Sequence, residues 1–263
     1  MARPRTTGQL AVWMNGERVG IWSLRSGNAH VFAYERGWLA SPTSRPISLS
    51  MPLRAAEAPY TGQVVESFFD NLLPDSQTIR QRIQARFGTA SSRAFDLLAQ
   101  IGRDCVGAIQ LLAVGQESEG VDRISGEPMD TAAVAAWLRA TPSLAGIGRQ
   151  DDDDFRISLA GAQEKTALLW HRGQWHRPRG ATPSTHIFKL PVGRVGNMQA
   201  DFRSSVENEW LCARIVGAYG LAVADCRIEA FEDQKALVVT RFDRRLAAAN
   251  THWLRLPQED LCQ

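Results

Sequence analysis

The chain has 263 residues, of which 44% are hydrophobic and 22% are charged, and this composition is typical of a soluble globular protein with one large or two modest domains. Lys and Arg total 30 against 28 for Asp and Glu, a net charge of +2, so the charge does not require a nucleic-acid partner. No apolar run approaches the ~20 residues of a membrane span, and the N-terminus lacks the apolar core of a secretory signal.

The first 115 residues predict a small α+β domain. Alternating apolar residues from Leu10 to Met14, the Asn15-Gly16 turn dipeptide and the β-type run Val19–Leu24 predict a hairpin. The remaining predicted elements are, in chain order, short strands at Val31–Tyr34 and Ile47–Met51, helices at Val64–Leu73, Thr78–Phe87 and Ser91–Ala99, and a strand at Val106–Val114.

Residues 116–154 are predicted to connect two domains. They begin as a polar stretch, continue as an amphipathic helix at Thr131–Ala140 and end in a Gly- and Asp-rich segment that contains Asp151–Asp154. The predicted domain organisation is therefore 1–115, a connecting segment at 116–154, and a second domain at 155–263.

The second domain is predicted to be a mostly antiparallel sheet with one helix packed on it. Strands at Ile157–Leu159 and Thr166–Trp170 would flank a tight loop as a hairpin-like unit. The elements that follow are a strand at Thr185–Leu190, a helix at Val206–Gly217 whose apolar face includes Trp210, Leu211, Ile215 and Val216, and paired strands at Cys226–Phe231 and Ala236–Phe242.

Three segments of this domain are candidates for nucleotide binding. The loop Ser158–Lys165 carries Gly161 between two alanines, which suits close approach of a phosphate, although it matches neither a Walker A nor a kinase Gly-rich pattern and also fits an ordinary tight turn. Lys189 ends an apolar strand, where it would either pair with a phosphate, held by Glu207 or Glu209 of the next helix, or reach out to water. The stretch Val238–Asp243 is either a hinge between two kinase lobes or a strand end with an exposed tail.

Other site types find little support in the residues. The four cysteines, Cys105, Cys212, Cys226 and Cys262, are scattered without a CxxC pair, which favours reduced thiols in a cytosolic protein. The five histidines form no metal-spaced pair, and no GxSxG elbow is present.

Longer strings of residues carry a more specific signal. The segments are VWMNGERVG at 12–20, FFDNLLPDS at 68–76, FDLLAQIGRDCVGA at 95–108, DFRISLAGAQEKTALL at 154–169, THIFKLP at 185–191, SVENEW at 205–210, RFDRR at 241–245 and LPQEDLCQ at 256–263. In this order, and over essentially the whole chain, they closely resemble the HipA family, the serine/threonine kinase toxins of bacterial HipBA toxin–antitoxin modules.

The resemblance implies a role for each candidate segment. Its fold would be a β-rich N-terminal subdomain followed by the N-lobe of a protein kinase. The loop Leu159, Ala160, Gly161, Ala162, Gln163, Glu164 and Lys165 is similar to the family's ATP-phosphate loop, and Ser158 occupies the position of regulatory autophosphorylation, which ejects the loop. Lys189 is similar to the ATP-binding lysine, Glu209 to the residue that orients it, and Thr240 and Phe242 to the adenine-contacting hinge. The family's hinge usually begins with Glu, so Thr240 is a departure.

The resemblance also sets expectations for the whole protein. The family uses Mg-ATP, binds a small helix-turn-helix antitoxin of the HipB type, contacts DNA mainly through that antitoxin, and phosphorylates glutamyl-tRNA synthetase in the cytoplasm, which leads to growth arrest and persistence. Its catalytic and magnesium-binding aspartates belong to a helical C-terminal lobe, and no DGHAKN motif is present in this sequence. From this we expect the 263 residues to stop before that lobe and to have little or no kinase activity alone. The alternative is a non-catalytic module that binds an antitoxin or a separate kinase lobe.

Overall fold

The computed structural model describes residues 6–142, 157–161, 163–195 and 200–260. It is a mixed α/β structure in which all of the paired strands run antiparallel. The predicted acidic run Asp151–Asp154 and loop residue Ala162 lie outside these ranges. In the described residues, none of the helices combines the length and the apolar character that crossing a membrane requires.

The N-terminal part folds around a five-stranded sheet. Its elements are β1 (Thr6–Met14), β2 (Glu17–Arg25), β3 (Ala29–Tyr34), α1 (Arg36–Ala40), β4 (Tyr60–Thr61), α2 (Gln63–Asp70), α3 (Gln77–Phe87), α4 (Ala94–Ile101) and β5 (Ile109–Ala113). The strand order is β4-β3-β2-β1-β5. Helices α2 and α4 contribute Phe69, Leu97 and Leu98 to the buried core, where Trp22 stacks on Phe69 with ring centroids 3.9 Å apart.

Local sequence signals explain most of these boundaries. Asn15 and Gly16 join β1 to β2 with φ values of 46° and 89°, the left-handed backbone that the tight hairpin requires. Ser76 caps α3 by accepting a hydrogen bond from the N–H of Ile79 (3.5 Å), and Gly88 ends it with φ 63°. The predicted strand at Ile47–Met51 is wrong, because the segment is a turn closed by a Ser48–Met51 bridge.

The second sheet has six strands in the order β12-β13-β9-β7-β8-β6. The sheet and the helices packed on it comprise β6 (Gly126–Met129), α5 (Thr131–Ala140), β7 (Lys165–His171), β8 (Gln174–Pro178), β9 (His186–Lys189), α6 (Ser205–Ala218), β12 (Cys226–Phe231) and β13 (Gln234–Thr240). Two separate two-stranded ribbons pair β10 (Gly193–Val195) with β11 (Ala200–Phe202), and β14 (Arg244–Leu246) with β15 (Trp253–Arg255). Because β6 pairs with β8, part of the predicted connecting segment joins this sheet.

Two helices cover opposite faces of the second sheet. On one face, Val134 and Leu138 of α5 pack with Phe188 and Val238 in a buried cluster. Side chains alternate along strands, so the neighbours Lys189 and Leu237 lie on the other face, which α6 contacts. The sheet therefore separates an α5 side from an α6 side.

The α6 helix differs from its predicted packing. Of its apolar residues Val206 is buried, but Trp210, Leu211, Ile215 and Val216 are 37–51% exposed. The apolar face predicted for this helix is thus largely open to solvent among the described residues.

The segment before the loop also differs from its prediction. Ile157–Leu159 is not a strand and does not form a hairpin with β7: Ile157 makes a single parallel bridge to Asp104 of the N-terminal part. The partners of β7 are β8 and β9 instead. The strand β8, which forms a hairpin with the predicted strand β7, is not among the predicted elements.

Candidate functional site

A pocket of about 300 Å³ lies on the α6 side of the second sheet. It brings together four of the sequence-predicted site residues: Lys189, Glu209, Thr240 and Phe242. They come from β9, α6 and the end of β13, which are distant in sequence and meet because β9 pairs with β13 beneath the helix. Its volume is at the lower end of the range typical for small-molecule sites.

The polar floor of the pocket is an ion pair. Lys189 Nζ donates to a carboxylate oxygen of Glu209, and the two side chains are 27% and 38% exposed. The other candidate, Glu207, instead pairs with Lys235 of β13. Of the two carboxylates that the sequence left open, Glu209 is therefore the one that holds Lys189.

The end of β13 supplies a free backbone donor to the pocket. The N–H of Thr240 donates to the Asp225 carbonyl (2.8 Å) and that of Arg241 to the Thr185 carbonyl (2.9 Å). The N–H of Phe242 has no acceptor among the described residues, and its side chain is 69% exposed. An unpaired N–H at the rim of an apolar pocket suits a planar heterocycle with a ring acceptor.

The loop that precedes β7 lies against the N-terminal part. Ser158 is fully buried; its N–H donates to the Asp104 carbonyl (3.1 Å) and its hydroxyl to the Leu72 carbonyl (2.7 Å). Further along, the Asp75 N–H donates to the Gly161 carbonyl (3.3 Å). A buried hydroxyl that already donates to a carbonyl cannot meet another molecule without the loop moving.

Gly161 is needed at its position in the loop. Its φ is +104°, and a Cβ built there would lie 2.7 Å from Nζ of Lys165. Lys165 donates to the Ala160 carbonyl (2.6 Å), which closes the loop over its own backbone. The positive φ is what favours glycine at residue 161, because the atom nearest to an added Cβ is the end of a flexible lysine side chain that can move.

Lys165 and Lys189 face each other across the pair β7–β9. Burial, followed by repulsion from Lys189, lowers the pKa of Lys165 to about 8. Lys189 lines the pocket, whereas Lys165 and the loop before it do not. An anion with several negative oxygens near both ammonium groups would relieve their repulsion.

Two further side chains of the loop, those of Gln163 and Glu164, connect it to neighbouring elements. Gln163 Nε2 donates to the Leu190 carbonyl (2.5 Å), next to the end of β9. Glu164 forms an ion pair with Arg82 of α3. The loop is therefore held both to the strand that carries Lys189 and to the N-terminal part.

A buried ionic cluster beside the pocket was missed by the sequence patterns. It joins two carboxylates to three guanidiniums, each side chain at most 6% exposed: Asp104, Asp243, Arg241, Arg244 and Arg255. Asp104 accepts from the Ser184 hydroxyl (2.6 Å), the Ser184 N–H (3.0 Å) and Arg244 Nη2 (2.9 Å). Three of its members lie in the string RFDRR, but a run of charges is equally typical of an exposed segment, and Asp104 lies 137 residues before Arg241, so the sequence carried no signal for the cluster.

The charges of the cluster set its pKa values. Burial raises the pKa of Asp104, but the guanidiniums of Arg244, Arg241 and Arg255 outweigh burial and hold it far below its usual value. Burial lowers the pKa of Arg255 and Arg244. With three positive and two negative groups, the cluster keeps one uncompensated positive charge in the interior.

The cluster connects the candidate site to the N-terminal part. Arg241 lies between Thr240 and Phe242 and donates to Asp243 through Nε (3.0 Å) and Nη2 (2.7 Å). The carbonyl of Asp104 accepts from the N–H of Ser158 (3.1 Å), and its carboxylate pairs with Arg241 (3.5 Å). One residue of the N-terminal part thus contacts both the base of the loop and the guanidinium in the middle of the predicted hinge.

Comparison with known proteins identifies the architecture. A family model for the HipA N-terminal domain matches residues 10–112, and one for the HipA-like C-terminal domain matches residues 157–263. The chain belongs to the HipA family. The expectation that the C-terminal lobe is missing is not confirmed, because the C-terminal domain model matches up to residue 263.

Two curated relatives are similar along most of this chain. The putative kinase Y4mE of Sinorhizobium fredii is 34% identical over 262 residues, which are 98% of this chain and 59% of that protein. The serine/threonine-protein kinase toxin HipA of Shewanella oneidensis is 27% identical over 241 residues, 88% of this chain and 48% of that protein. The chain thus spans roughly half to three-fifths of these HipA relatives.

A solved structure shares the fold. It is the Shewanella oneidensis HipA in complex with HipB and its operator DNA, with a TM-score of 0.68 and 25% sequence identity over 94% of this chain and 53% of the other. The likeness extends over both sheets of the described structure, so the order of the two HipA parts is shared.

Proposed function

We propose that this HipA chain binds Mg-ATP in the pocket on the α6 side and forms the nucleotide-binding part of a serine/threonine kinase toxin. The observation that carries the proposal is the ion pair Lys189–Glu209 on the floor of a pocket whose rim holds the free N–H of Phe242. A strand lysine held by a helix glutamate is the arrangement that kinases use to position nucleotide phosphates.

In this proposal each residue has one task. Adenine accepts a hydrogen bond from the N–H of Phe242, and Thr240 lines the same rim, so a threonine in place of the family's glutamate leaves that backbone contact intact. Lys189 and Lys165 bind phosphate oxygens together with the backbone of Leu159, Ala160, Gly161, Ala162, Gln163 and Glu164. Glu209 holds Lys189 in place and contacts no substrate.

A magnesium ion is not assigned to protein ligands. No group of three or more His, Cys, Asp or Glu residues that could hold a metal ion occurs among the described residues. The ATP phosphates would bring the ion, which neutralises part of their charge. The lysines and the loop of this chain only bind and orient the nucleotide.

Ser158 is proposed to be a regulatory autophosphorylation site. Phosphorylation would add about two negative charges to a buried hydroxyl that now donates to the Leu72 carbonyl. A phosphate group would be repelled by the carbonyl oxygen of Leu72, so the loop would leave its position against Asp104. Its backbone could then no longer bind the phosphates of ATP. The buried position of Ser158 supports this switch.

The catalytic step is a proposal about a larger assembly. Leu211, Tyr219, Leu221 and Phe242 are all more than half exposed on the side of the sheet that carries the pocket, and exposed apolar patches commonly mark interaction sites. We propose that a catalytic lobe packs here, and that these 263 residues have little phosphotransfer activity without one. The same surface supports the second candidate function, a non-catalytic module that binds an antitoxin or a separate kinase lobe.

The partners of the whole protein are proposals from the family. A HipB-like antitoxin would bind this chain and carry most of the DNA contacts, because the similar Shewanella HipA was solved in a complex with HipB and operator DNA. Glutamyl-tRNA synthetase in the cytoplasm is the proposed substrate, with growth arrest and persistence as the consequence.

The nucleotide proposal is tested by thermal unfolding with and without Mg-ATP. At a ligand concentration of about 100 Kd, binding to the folded state alone adds about 2.7 kcal/mol to the free energy of unfolding, so the Tm rises. An unchanged Tm at millimolar Mg-ATP would contradict the proposal. Phosphotransfer from labelled ATP tests activity separately: label on Ser158 in the 263-residue chain, absent in Lys189→Ala, would overturn the expected inactivity.

A further inference from the structure

A second cavity lies on the α5 side of the second sheet, opposite the pocket proposed for ATP. Thr166 and Trp137 mark this side: Trp137 belongs to α5 and donates through Nε1 to the Thr166 hydroxyl (2.9 Å), and Thr166 pairs with the buried Phe188. Helix α3 of the N-terminal part closes the cavity from the other direction. Lys165 and residues of the loop before it line this cavity and not the pocket proposed for ATP, although Lys165 pairs with Lys189 of that pocket across β7–β9.

The polar groups of this cavity carry an excess of positive charge. Arg82, Arg86 and Lys165 line it with one carboxylate, that of Glu164, which pairs with Arg82. Arg86 is an exposed residue that forms no ion pair with a carboxylate of the described residues, and its guanidinium carbon lies 5.5 Å from the centre of the Phe87 ring. The buried Nε of Arg82 has no hydrogen-bond partner in the same ranges. The Nε of Arg82 is therefore an unused buried donor, and the exposed guanidinium of Arg86 lines the same space.

The rest of the lining is apolar and the space is small. Ile83, Phe87 and Leu159 are among the apolar residues that enclose about 120 Å³. An apolar cavity of about 150 Å³ holds one benzene ring. The space is too small for a nucleotide and matches a single ring or a branched aliphatic group.

We propose that this cavity is a second ligand site, which takes a small anion with one ring-sized apolar group, of the arylalkyl carboxylate or aryl phosphate class. The apolar group would lie between α3 and the loop, and the anionic group would accept from Arg86 and from the free Nε of Arg82. Bidentate guanidinium contacts favour planar carboxylates and phosphates over uncharged groups.

Such a ligand would act on the loop. Leu159, Gln163, Glu164 and Lys165 line the cavity, so the ligand contacts the segment that is proposed above to bind the ATP phosphates. A ligand bound between α3 and this segment stabilises the position in which Ser158 is buried. It regulates the loop without occupying the nucleotide pocket, which makes the site distinct from the one proposed above.

The experiment uses the 263-residue chain and three probes: phenyl phosphate, 3-phenylpropionate and the uncharged 3-phenyl-1-propanol. Saturation-transfer difference NMR detects binding, and titration gives the Kd. We expect the two anions to bind and the alcohol to give no signal. Addition of the nucleotide analogue AMP-PNP should leave the anion signal in place.

Variants locate the site. Arg86→Met removes the guanidinium without breaking an ion pair of the described residues, and Ala140→Phe fills the cavity without changing charge; each should raise the Kd by about tenfold or more. Arg36→Met, which removes an exposed ion pair with Glu57 in the N-terminal part, is the matched control and should leave the Kd unchanged.

Four results would overturn the proposal: no anion signal, an alcohol signal equal to that of the anions, displacement of the anions by AMP-PNP, or a Kd that neither Arg86→Met nor Ala140→Phe changes. Failure of ATP binding does not bear on three of these outcomes, because the Kd of each probe is measured without nucleotide; only the displacement experiment uses AMP-PNP. The two proposals can therefore fail separately.

Discussion

Replacing Asp104 by Asn is predicted to destabilise the chain strongly. Asp104 is 4% exposed and accepts hydrogen bonds from Ser184, Arg244 and Arg255. The substitution removes one of two negative charges that face three guanidiniums, so the uncompensated charge of the interior rises from one to two. It also replaces one acceptor oxygen by an NH₂ group, which would face hydrogen-bond donors instead of accepting from them.

The magnitude follows from the burial of the cluster. Removing one partner of a buried ion pair costs about 3–5 kcal/mol, because the remaining charge stays in the interior. An exposed pair such as Asp201–Arg203 contributes little, so Asp201→Asn is the matched control. Urea unfolding followed by far-UV circular dichroism should give a free energy of unfolding lower by about 3 kcal/mol or more for Asp104→Asn. The value for Asp201→Asn should stay close to that of the parent.

The pH dependence has a definite sign. The pKa of Asp104 is held far below the unfolded value of 3.8, so the folded state favours the carboxylate. Its stabilisation is fully present above about pH 4 and is lost as the pH falls below the unfolded pKa toward the folded one. The difference in stability between parent and Asp104→Asn should therefore shrink below about pH 4. A loss under about 1 kcal/mol at neutral pH, or a difference that does not change with acid, would refute the reasoning about the cluster.

The other predictions concern the loop and its surroundings. Since the pKa of Lys165 is about 8, its ammonium is lost as the pH rises through that value. The Kd for ATP, measured by isothermal titration, should therefore increase over this pH range in the parent and stay constant in Lys165→Gln. An equal change of Kd with pH in the two proteins would contradict this. Ser158→Glu should expose the loop, detected as faster trypsin cleavage after Lys165 than in Ser158→Ala, and equal rates would count against the switch. Leu211→Glu should reduce self-association of the chain at micromolar concentration in dynamic light scattering, with Glu207→Gln as the control; a clean parent monomer would show that the open α6 face does not drive association.

Local patterns predicted the elements whose signals are contained in a few neighbouring residues. The turn at Asn15-Gly16 and the helix Thr131–Ala140 are both confirmed, because their signals lie in residues that are close together in the sequence. The paired strands around Glu232-Asp233 are confirmed for the same reason.

The wrong predictions depend on distant partners. Ile157–Leu159 has the apolar character of a strand, yet Ser158 bonds to Leu72 and Asp104, 86 residues away in the first case. In Ile47–Met51 the N–H of Ile47 donates to the Tyr34 hydroxyl (3.0 Å), and the hydroxyl of Ser48 donates to the carboxylate of Glu259. No periodicity of the segment itself contains this information.

The candidate site shows the same division. Spacing alone left Lys189 between a phosphate ligand and an exposed strand end, and left two glutamates as partners. The structure brings Glu209 to Lys189 and Glu207 to Lys235, because α6 packs over the sheet in which β9 and β13 are neighbours. The roles of these residues toward ATP stay predictions, as does the domain division at 115 and 155.

The binding of ATP in the Lys189–Glu209 pocket is tested most directly by isothermal titration of the chain with Mg-ATP. The matched pair of variants is Lys189→Met and Lys235→Met, since both lysines pair with a glutamate of α6 but only Lys189 of the two lines the pocket. We expect saturable one-to-one binding to the parent and to Lys235→Met, and a Kd at least about tenfold higher for Lys189→Met. No binding to the parent, or equal Kd values for the two variants, would contradict the assignment of this pocket to ATP.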